Sequence, residues 1–244
     1  MNKYHTAIIL VCVTALLLGI NRYNKGLTAG GKVLHPGDKL YSQHNEELII
    51  RDFFNDMRGG VFVDLGASDY KKLSTTFYLE ERLGWSGIAI DALPEYAEGY
   101  IKYRPKTKFF NYMVTRSAQG PMPFYRLMAD PPRSSSDKKA MEKSAKKKKI
   151  MTEYELLYVP TITLDGLLEK NGMKKIDFLS IDIEGAEPDA LAGFDIGRFK
   201  PRLVCVEANK PAELLKYFNR HNYELIWKYL LYDHVNWYFK PKGS

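Results

Sequence analysis

Cysteine is scarce in this chain of 244 residues, which contains only Cys12 and Cys205. Two cysteines cannot build a disulfide framework, and they cannot supply a cysteine-ligated zinc site, so both classes of protein are excluded. Cys12 lies in an apolar run and Cys205 in a strand-like segment, so we expect each thiol to be buried as a small hydrophobic group. Because 45% of the residues are hydrophobic, a wholly disordered chain is also excluded.

The chain also lacks the evenly spread positive charge of a nucleic-acid-binding protein. Its formal net charge is +7, but residues 133–149 contain eight basic and two acidic residues and so carry six of those seven charges. Nucleic acid is therefore not expected as a partner. We predict that residues 130–150 form a basic, flexible insertion, either a disordered loop or a short basic helix. It is either simply solvated or meets anionic lipid headgroups or an acidic acceptor.

A single long apolar run, residues 7–20, lies near the N-terminus between Lys3 and Arg22. Its length matches the hydrophobic region of a signal peptide, but three interfacial residues before it extend it to the lower limit for crossing a bilayer. No small-x-small cleavage site follows the run, so we favour an uncleaved single-pass membrane anchor over residues 1–25. A slight excess of basic residues after the run favours a cytoplasmic location for the rest of the chain. The glycines of residues 26–40 predict a linker.

From residue 41 onward, strand-like and helical patterns alternate along the chain. Such alternation predicts a mostly parallel α/β sheet with helices on both faces, folded as one domain over residues 41–244. The last two apolar segments are close enough in sequence to form an antiparallel hairpin. The predicted strands are residues 61–65, 88–90, 109–114, 176–181 and 203–206, with the hairpin at 224–231 and 236–239, and the predicted helices are 46–54, 74–83, 164–170 and 212–219.

An acidic residue lies at the end of four of the predicted strands. In an open parallel sheet, ligands bind at the carboxyl ends of the strands, so these four side chains are expected near one crevice. Each carboxylate alone is equally well explained as a helix cap or a solvated turn residue, but together they favour a nucleoside-type cofactor site. The four residues are Asp64, Asp91, Asp182 and Glu207.

The first predicted strand runs into a turn of small residues, Gly66, Ala67 and Ser68. Glycine lets the backbone pass close beneath a ligand. The Gly-x-Gly-x-x-Gly fingerprint of dinucleotide-binding proteins is absent, so close contact with a pyrophosphate is not expected. A ligand with an amino-acid end and an adenosine end suits this turn better, and Asp91 can accept both hydrogen bonds of a ribose diol. S-adenosylmethionine fits both observations.

The densest group of carboxylates follows the predicted strand at residues 176–181. Asp182 and Glu184 are two residues apart, so in an extended chain they project to the same side. They can hold the amino group of a sulfonium ligand, deprotonate a substrate hydroxyl, or bind a hard divalent cation, and the spacing leaves these uses open. For Glu187, which begins the next predicted helix, we favour a structural role at the helix N-terminus.

Several strings in the chain together resemble the FkbM-type S-adenosylmethionine-dependent methyltransferases, and the similarity covers about residues 41–239. This resemblance implies a Rossmann-like, seven-stranded class I methyltransferase fold and, commonly, O-methylation of a hydroxyl group on a sugar or a natural product. The strings are Ser42-Gln43 with Glu46, VFVDLGAS at residues 61–68, Ser74-Thr75, GWSGIAIDALP at 84–94, IDFLSIDIEGAEPDALAG at 176–193 and Val206-Glu207.

The resemblance also implies roles for individual residues. Ser68 is one of the residues expected to bind the cofactor, and it stands where the family often has Asn or His. Asp91 stands where Glu is more common, although aspartate can make the same contacts. By position, the methionine end of the cofactor would contact Asp64, Gly66 and Ala67, the ribose would contact Asp91, the adenine would lie near Asn111, and the sulfonium would lie beside Asp182.

The proposed cofactor decides which catalytic groups are needed. Methyl transfer from a sulfonium is an in-line displacement, so most of the catalysis is positioning. A hydroxyl is a poor nucleophile that benefits from a base or a metal. Our candidates are Asp182 and Glu184 first and Glu207 second, and the same three carboxylates could bind a divalent cation.

Two hypotheses from different classes follow. The first is a membrane-anchored O-methyltransferase that acts on a glycan, a lipid-linked sugar or a related hydroxylated small molecule. The second is a non-catalytic, nucleotide-binding or membrane-associated module of the same fold. The joint presence of the strand-end acids favours the enzyme. His234, Asn236 and Trp237 could line an acceptor pocket, but we favour core or turn roles for them.

Overall fold

The structure is a computed structural model that describes residues 26–35 and 40–244. The predicted membrane anchor, residues 1–25, therefore lies outside the described residues. Within the two described ranges, no helix is both long and apolar enough to cross a membrane.

Strands and helices alternate along the described chain, as the sequence predicts. The strands are β1 (Leu27–Ala29), β2 (Lys32–Leu34), β3 (Val61–Leu65), β4 (Ser86–Asp91), β5 (Thr107–Asn111), β6 (Met113–Val114), β7 (Met122–Leu127), β8 (Tyr154–Val159), β9 (Thr161–Ile162), β10 (Phe178–Ile181), β11 (Leu203–Glu207), β12 (Tyr223–Leu225) and β13 (Asn236–Pro241). The helices are α1 (Glu46–Phe54), α2 (Phe77–Leu83), α3 (Ala97–Tyr103), α4 (Lys138–Lys147), α5 (Leu164–Lys170), α6 (Glu187–Ala192), α7 (Ile196–Phe199) and α8 (Pro211–Arg220). Short 3₁₀ turns add Pro94–Tyr96, Pro131–Arg133 and Trp227–Leu231.

A seven-stranded sheet forms the centre of the fold, in the order β12-β13-β11-β10-β3-β4-β5. The strands β11, β10, β3, β4 and β5 are parallel, while β13 is antiparallel to both β11 and β12. The mostly parallel sheet and its antiparallel C-terminal hairpin are therefore confirmed. The chain leaves β3 toward β4 and later returns to β10 on the other side of β3. The strand order reverses at this position, and a ligand crevice is expected there.

Helices cover both faces of the sheet because alternate residues of each strand point to opposite sides. Phe62 of β3 packs in one apolar cluster with α1 and α2, whereas Val63 and Leu65 pack in another with α5, α7 and α8. Burial on both faces fixes the register of β3. Asp64, two residues after Phe62, consequently points to the same face as α1 and α2.

Three predicted element boundaries shift in the structure. The helix predicted from residue 74 begins at Phe77, although the Ser74 hydroxyl accepts a hydrogen bond from the Phe77 amide at 3.2 Å. The strand predicted over residues 109–114 is divided, because β5 pairs with β4 whereas β6 pairs with β9. In the C-terminal hairpin, β12 ends at Leu225, and Trp227–Leu231 is a 3₁₀ turn and not a strand.

In place of the predicted linker, β1 and β2 form an antiparallel hairpin. Gly30 and Gly31 make its turn with positive φ angles of 54° and 75°, so the glycines that suggested a linker serve a tight turn. Leu27 is buried in the cluster that contains α1. The Thr28 amide donates to the Asp52 carboxylate of α1 at 3.0 Å. These contacts attach the hairpin to the domain.

The predicted basic insertion is a packed unit and not a disordered loop. The strands β7 and β8 form an antiparallel hairpin, and α4 packs on it through Met141 and Ala145, which are 1% and 0% exposed. The Asp137 carboxylate caps α4 by accepting from the Lys139 and Ala140 amides at 2.9 and 3.1 Å. Of the two forms expected for this segment, the short basic helix is the one observed.

Candidate active site

The turn after β3 brings the ends of three strands together. Gly66 has a positive φ of 77°, and a Cβ placed on it would lie 1.7 Å from the carbonyl oxygen of Asp182, so only glycine fits. The Gly66 and Ala67 amides both donate to the Ile90 carbonyl, at 2.9 and 3.1 Å. The Asp182 amide donates to the Leu65 carbonyl at 3.0 Å. The carboxyl ends of β3, β4 and β10 therefore meet at the turn where the sequence predicts the cofactor.

Asp91, at the end of β4, holds the next part of that turn. Its Oδ2 accepts from the Ser68 amide at 2.9 Å, and its Oδ1 accepts from the Leu93 amide at 2.8 Å. The Asn111 side chain donates to the Asp91 carbonyl at 3.0 Å, so the predicted adenine and ribose residues are adjacent. Burial raises the pKa of the Asp91 carboxyl to about 6. Each carboxylate oxygen has more than one lone pair, so Asp91 can also accept from a ribose diol.

Asp64 lies in the interior, beneath the crevice. The residue is 3% exposed, and its Oδ2 accepts from the Thr76 hydroxyl at 2.9 Å. The Ser180 hydroxyl is also hydrogen-bonded to this carboxyl, and burial raises its pKa to about 6. Asp64 thus joins β3 to β10 and to the start of α2. The contact between Asp64 and the methionine end of the cofactor, which the family resemblance implies, stays a prediction.

Asp182 and Glu207 form a hydrogen-bonded carboxyl pair. In the parallel pairing of β10 with β11, Ile181 lies opposite Val206. The residues that follow them, Asp182 and Glu207, therefore lie side by side. The low-dielectric surroundings and the nearby Asp182 charge raise the pKa of Glu207 to about 10, and the surroundings also raise the pKa of Asp182. Two carboxyls this close do not both ionise readily, and the raised pKa keeps Glu207 protonated at neutral pH. Asp182 as a residue retains solvent-accessible surface although its carboxyl group is desolvated, so the pair lies at the edge of the crevice.

Glu184 follows the pair in a turn with left-handed backbone. Its φ is 51°, and its carbonyl accepts from the Ser135 hydroxyl at 3.2 Å. Burial and the Asp182 charge raise the pKa of Glu184 to about 7, while Arg133 opposes that rise. Arg133 also favours the charged form of Asp182. The guanidinium of Arg133, which is ion-paired with Asp130 at 2.9 Å, therefore acts on this site electrostatically, and no local pattern in the sequence indicates this.

Glu187 has a structural role, as the sequence favours. It is fully buried, and its Oε1 accepts from the Gly185 amide at 2.9 Å and from the Ile183 amide at 3.3 Å. Burial raises the pKa of this carboxyl. Its other oxygen, Oε2, has no hydrogen-bond partner in the described part of the chain. Glu187 thus closes the turn between β10 and α6, which presents Asp182.

An open cavity of about 580 Å³ lies beside the carboxyl pair, between two loops. One loop precedes α1, and the other precedes β13, whose first residue, Asn236, is paired with Glu207. Val235, which lines the cavity, directly precedes Asn236, the cross-strand partner of Glu207, so the cavity and the pair are neighbours. The residues that line the cavity are Leu40, Ser42, Gln43, His44, Asn45, Tyr232, Asp233, His234 and Val235.

A buried polar network holds both loops of this cavity. The Asn236 Nδ2 donates to Glu46 Oε1 at 3.1 Å and to Asp233 Oδ2 at 3.0 Å. On one loop, Glu46 Oε2 accepts from the His44 amide at 2.6 Å. On the other, Asp233 Oδ1 accepts from the Val235 amide at 2.9 Å. The side-chain amide of Asn236 therefore links the two loops that form the walls of the cavity.

The three residues considered for an acceptor pocket, His234, Asn236 and Trp237, lie in different surroundings. His234 is exposed and lines the cavity, whereas Asn236 is 4% exposed and lies behind it. Trp237 packs, partly buried, against the core cluster that contains α8. The expected core or turn roles therefore hold for Asn236 and Trp237, but His234 faces the cavity.

Within residues 26–35 and 40–244, no group of three or more His, Cys, Asp or Glu side chains is arranged to hold a metal ion. The structure does bring Asp182, Glu184 and Glu207 together. Their use as proton acceptors and their use as ligands of a divalent cation both stay predictions.

The fold and this site define a class of protein. The central sheet reverses its strand order beside β3, and a glycine turn without phosphate-binding glycines lies at that reversal, next to a carboxylate suited to a ribose. These are the features of a Rossmann-like methyltransferase that uses S-adenosylmethionine. A family model described as the Methyltransferase FkbM domain matches residues 64–225. The chain belongs to this family, which confirms the resemblance seen in the sequence.

One solved structure that resembles the chain is the crystal structure of a TehB-like SAM-dependent methyltransferase from Corynebacterium glutamicum. The two sequences are 14% identical, the similarity covers 84% of this chain and 90% of that chain, and the TM-score is 0.44. Among curated proteins, none matches the chain.

Proposed function

We propose that this chain is a membrane-anchored O-methyltransferase that uses S-adenosylmethionine to methylate a hydroxyl of a glycan, a lipid-linked sugar or a related small molecule. The observation that carries the proposal is the carboxyl pair of Asp182 and Glu207. In the sheet, this pair lies between the Gly66 turn on β3 and the cavity beside β13. A proton acceptor between a methyl donor and a hydroxyl is what such an enzyme requires.

The residues of the crevice fit the cofactor. Gly66 offers bare backbone where a side chain would clash, and the Asp91 carboxylate has acceptor capacity for a ribose diol. When bound, S-adenosylmethionine supplies an electrophilic methyl group on its sulfonium. Asp64 supports the site from beneath through its bond to Thr76. We assign cofactor binding to Gly66, Ala67, Ser68, Asp91 and Asn111, with Asp182 at the sulfonium end.

The carboxyl pair supplies the proton acceptor. Methylation of an alcohol forms an oxygen–carbon bond as the methyl–sulfur bond of the donor breaks, and the oxygen–hydrogen bond breaks as well, so the hydroxyl proton needs a destination. We assign this proton to the Asp182 carboxylate, while Glu207, whose pKa is raised to about 10, donates the hydrogen bond that orients Asp182. Glu184 is the second candidate, because its pKa is raised to about 7 and a base that titrates near neutral pH is effective.

The acceptor is assigned to the cavity beside the pair. Its lining combines polar and apolar surface and contains groups that donate and groups that accept hydrogen bonds, which suits a sugar with hydroxyls and an apolar ring face. The predicted anchor over residues 1–25 would hold this site close to a membrane, on the cytoplasmic side, and bring lipid-linked acceptors within reach. The polar lining groups are those of Ser42, Gln43, His44, Asn45 and His234.

The full-length chain, in membranes or in detergent, can be incubated with methyl-labelled S-adenosylmethionine and fractionated glycans and glycolipids. We expect saturable cofactor binding and a labelled methyl ether in at least one fraction, with none from heat-denatured protein. Label found on nitrogen or sulfur would contradict O-methylation. Saturable binding without a product from any fraction would favour the non-catalytic module instead.

A further inference from the structure

The hairpin of β7 and β8 with α4, here called the basic unit, carries a surface that the proposed reaction does not use. Alternate side chains of the hairpin point to an inner and an outer face. On the inner face, Phe124 and Val159 are buried together with Leu93 and Met113 of the domain. The outer face is therefore the one available to α4 and to solvent.

The helix α4 covers only one end of that outer face. It packs on Leu127 and on its cross-strand partner Tyr154. The same face continues along β8 to Leu156 and Tyr158, which lie two and four residues further on. Leu156 is 45% exposed and Tyr158 is 69% exposed, while Met151, between α4 and β8, is 71% exposed. The basic unit thus leaves three large apolar side chains in solvent.

Exposed lysines lie on α4, which packs on the same face of the hairpin, and on the residues that follow α4. Met141 and Ala145 hold one side of α4 against the hairpin, so the lysines occupy its other sides and the residues that follow it. Glu142 is the one acidic residue between positions 138 and 149, so the sequence itself hardly neutralises this charge. The exposed lysines are Lys139, Lys143, Lys146, Lys147, Lys148 and Lys149.

We propose that the lysines of the basic unit, together with Met151, Leu156 and Tyr158, bind the surface of an anionic lipid bilayer. Lysines are attracted to the phosphates of anionic headgroups, and apolar and tyrosine side chains enter the boundary between headgroups and acyl chains. A merely solvated helix would not require neighbouring exposed apolar groups, which mark an interaction surface. Charge and apolar exposure together therefore select a membrane over a soluble polyanion.

The basic unit is also joined to the active site. The Ser135 hydroxyl donates to the Glu184 carbonyl at 3.2 Å, and Arg133 of the same unit acts electrostatically on Asp182. A bilayer bound to this surface would therefore lie near the carboxyl edge of the sheet. The binding itself does not depend on methyl transfer, so it can be tested separately from the proposed reaction.

Hydrogen–deuterium exchange of the full-length chain with lipid vesicles tests this inference. We expect the amides of residues 138–158 to exchange more slowly with vesicles of phosphatidylcholine and phosphatidylglycerol, and to be unchanged with phosphatidylcholine alone. The N-terminal segment is common to both samples, so its own insertion does not explain a local difference that depends on lipid charge. No protection of residues 138–158 by the anionic vesicles would overturn the proposal.

Two matched variants separate this surface from overall charge. The first variant lacks four lysines of α4. It should lose the protection, since each lysine contributes about fivefold to the affinity for an anionic bilayer. The second removes the same charge from exposed lysines elsewhere and should keep the protection, so equal behaviour of the two variants would also overturn the proposal. The first carries Lys139→Gln, Lys143→Gln, Lys146→Gln and Lys147→Gln, and the second carries Lys170→Gln, Lys174→Gln, Lys210→Gln and Lys216→Gln.

The apolar part of the surface needs its own variant. Leu156→Ser combined with Tyr158→Ser keeps every lysine, and we expect it to bind anionic vesicles measurably more weakly than the wild type. Unchanged binding by this variant would contradict insertion of these side chains. Protection of residues 138–158 by heparin but not by vesicles would assign the surface to a soluble polyanion and reject the bilayer.

Discussion

The carboxyl groups of Asp182 and Glu207 are hydrogen-bonded to each other at the ends of neighbouring parallel strands, where burial and the Asp182 charge raise the pKa of Glu207 to about 10. Neighbouring carboxylates repel each other unless one of them is protonated, so the proton on Glu207 allows both to occupy one crevice. The two groups differ in their surroundings, because Asp182 is exposed whereas Glu207 is partly buried. Asp182 is therefore suited to accept a proton from a substrate, and Glu207 to orient it.

Replacing Asp182 with asparagine should abolish methyl transfer and leave the fold intact. Asparagine has nearly the same size and can still hydrogen-bond to Glu207, but it cannot accept a proton. Loss of a general base lowers the rate by about 10²–10⁴-fold. Turnover with labelled S-adenosylmethionine measures this loss, and thermal unfolding reports the fold.

The control is Asp189→Asn, at an ion pair with Arg116 outside the crevice, which should keep wild-type turnover. Retained activity of the Asp182 variant would reject its assigned role.

Replacing Glu207 with glutamine should raise the free energy of unfolding relative to the wild type, and this gain should increase as the pH rises. The pKa of Glu207 is raised from 4.5 to about 10 in the fold. Between these two pH values the unfolded chain loses a proton that the folded chain keeps, so stability falls as the pH rises, and glutamine removes this loss. Urea unfolding near pH 5 and pH 8.5 should show the advantage of the variant growing by about 1–2 kcal/mol, a discounted value because water enters the crevice.

A surface substitution provides the control for this pH dependence. Glu213 lies exposed at the start of α8, so Glu213→Gln should leave the slope of stability against pH as in the wild type. If the Glu207 variant has the wild-type slope as well, the raised pKa of Glu207 is not a property of the folded protein.

The site residues that could be predicted from the sequence are those that end a strand. Asp91 and Glu207 are the last residues of β4 and β11, and Asp182 directly follows β10, so all three reach the carboxyl edge of the sheet. Asp64 has the same apparent position in the sequence, but β3 continues through Leu65. Its side chain therefore points into the packed layer under α1 and α2, and a difference of one residue decides between crevice and interior.

The rest of the site depends on contacts between distant segments. Asn236 reaches Glu46, which is 190 residues away in sequence, and Ser135 reaches Glu184 across 49 residues. Local patterns of apolar residues and turns contain no signal for such pairs. The β1–β2 hairpin was hidden for a related reason: its glycines have the composition of a flexible linker, and the burial of Leu27, Ala29 and Leu34 against the domain is not visible in the local sequence.

Gly66→Ala should destabilise the protein far more than alanine at a comparable glycine. A Cβ at position 66 would lie 1.7 Å from the Asp182 carbonyl oxygen, so β3 and β10 would have to separate. Gly59 has a similar positive φ of 70°, but a Cβ there meets no atom within 4 Å. We expect Gly59→Ala to cost about 1 kcal/mol from backbone strain, and Gly66→Ala to cost more than about 4 kcal/mol or to prevent folding. Equal losses in denaturant unfolding would contradict the close approach of the two strands.

Asp91→Ala should weaken the binding of S-adenosylmethionine by about tenfold or more, because it removes the acceptor proposed for the ribose hydroxyls. The substitution also frees two backbone amides of the turn. Asp69→Ala frees two backbone amides of the same loop without removing a ribose acceptor, so it should keep nearly wild-type affinity. Isothermal titration calorimetry compares the two variants. Equal losses of affinity would show that Asp91 only holds the loop.

Asn236→Ala should raise the KM for the acceptor and leave the affinity for S-adenosylmethionine unchanged. The Asn236 amide is the donor that links Glu46 on one side to Asp233 on the other. Without it, two buried carboxyls face each other and the loops of the cavity separate or rearrange. Burial and the Asp233 charge already raise the pKa of Glu46 to about 7. The rise in KM, about tenfold, should therefore be larger above pH 7, where Glu46 ionises.

A variant of matched chemistry tests whether this effect belongs to the cavity. Asn171→Ala also removes a side-chain amide, which donates to the Leu167 carbonyl at 2.9 Å near the end of α5. It should lose some stability but keep the acceptor KM and its pH dependence. Steady-state kinetics at pH 6 and pH 8 with both substrates varied distinguishes the two variants. Because the Asn236 network touches both cavity loops and not the Gly66 turn, a changed cofactor KM in the Asn236 variant would show that the network supports the whole domain and not the acceptor site.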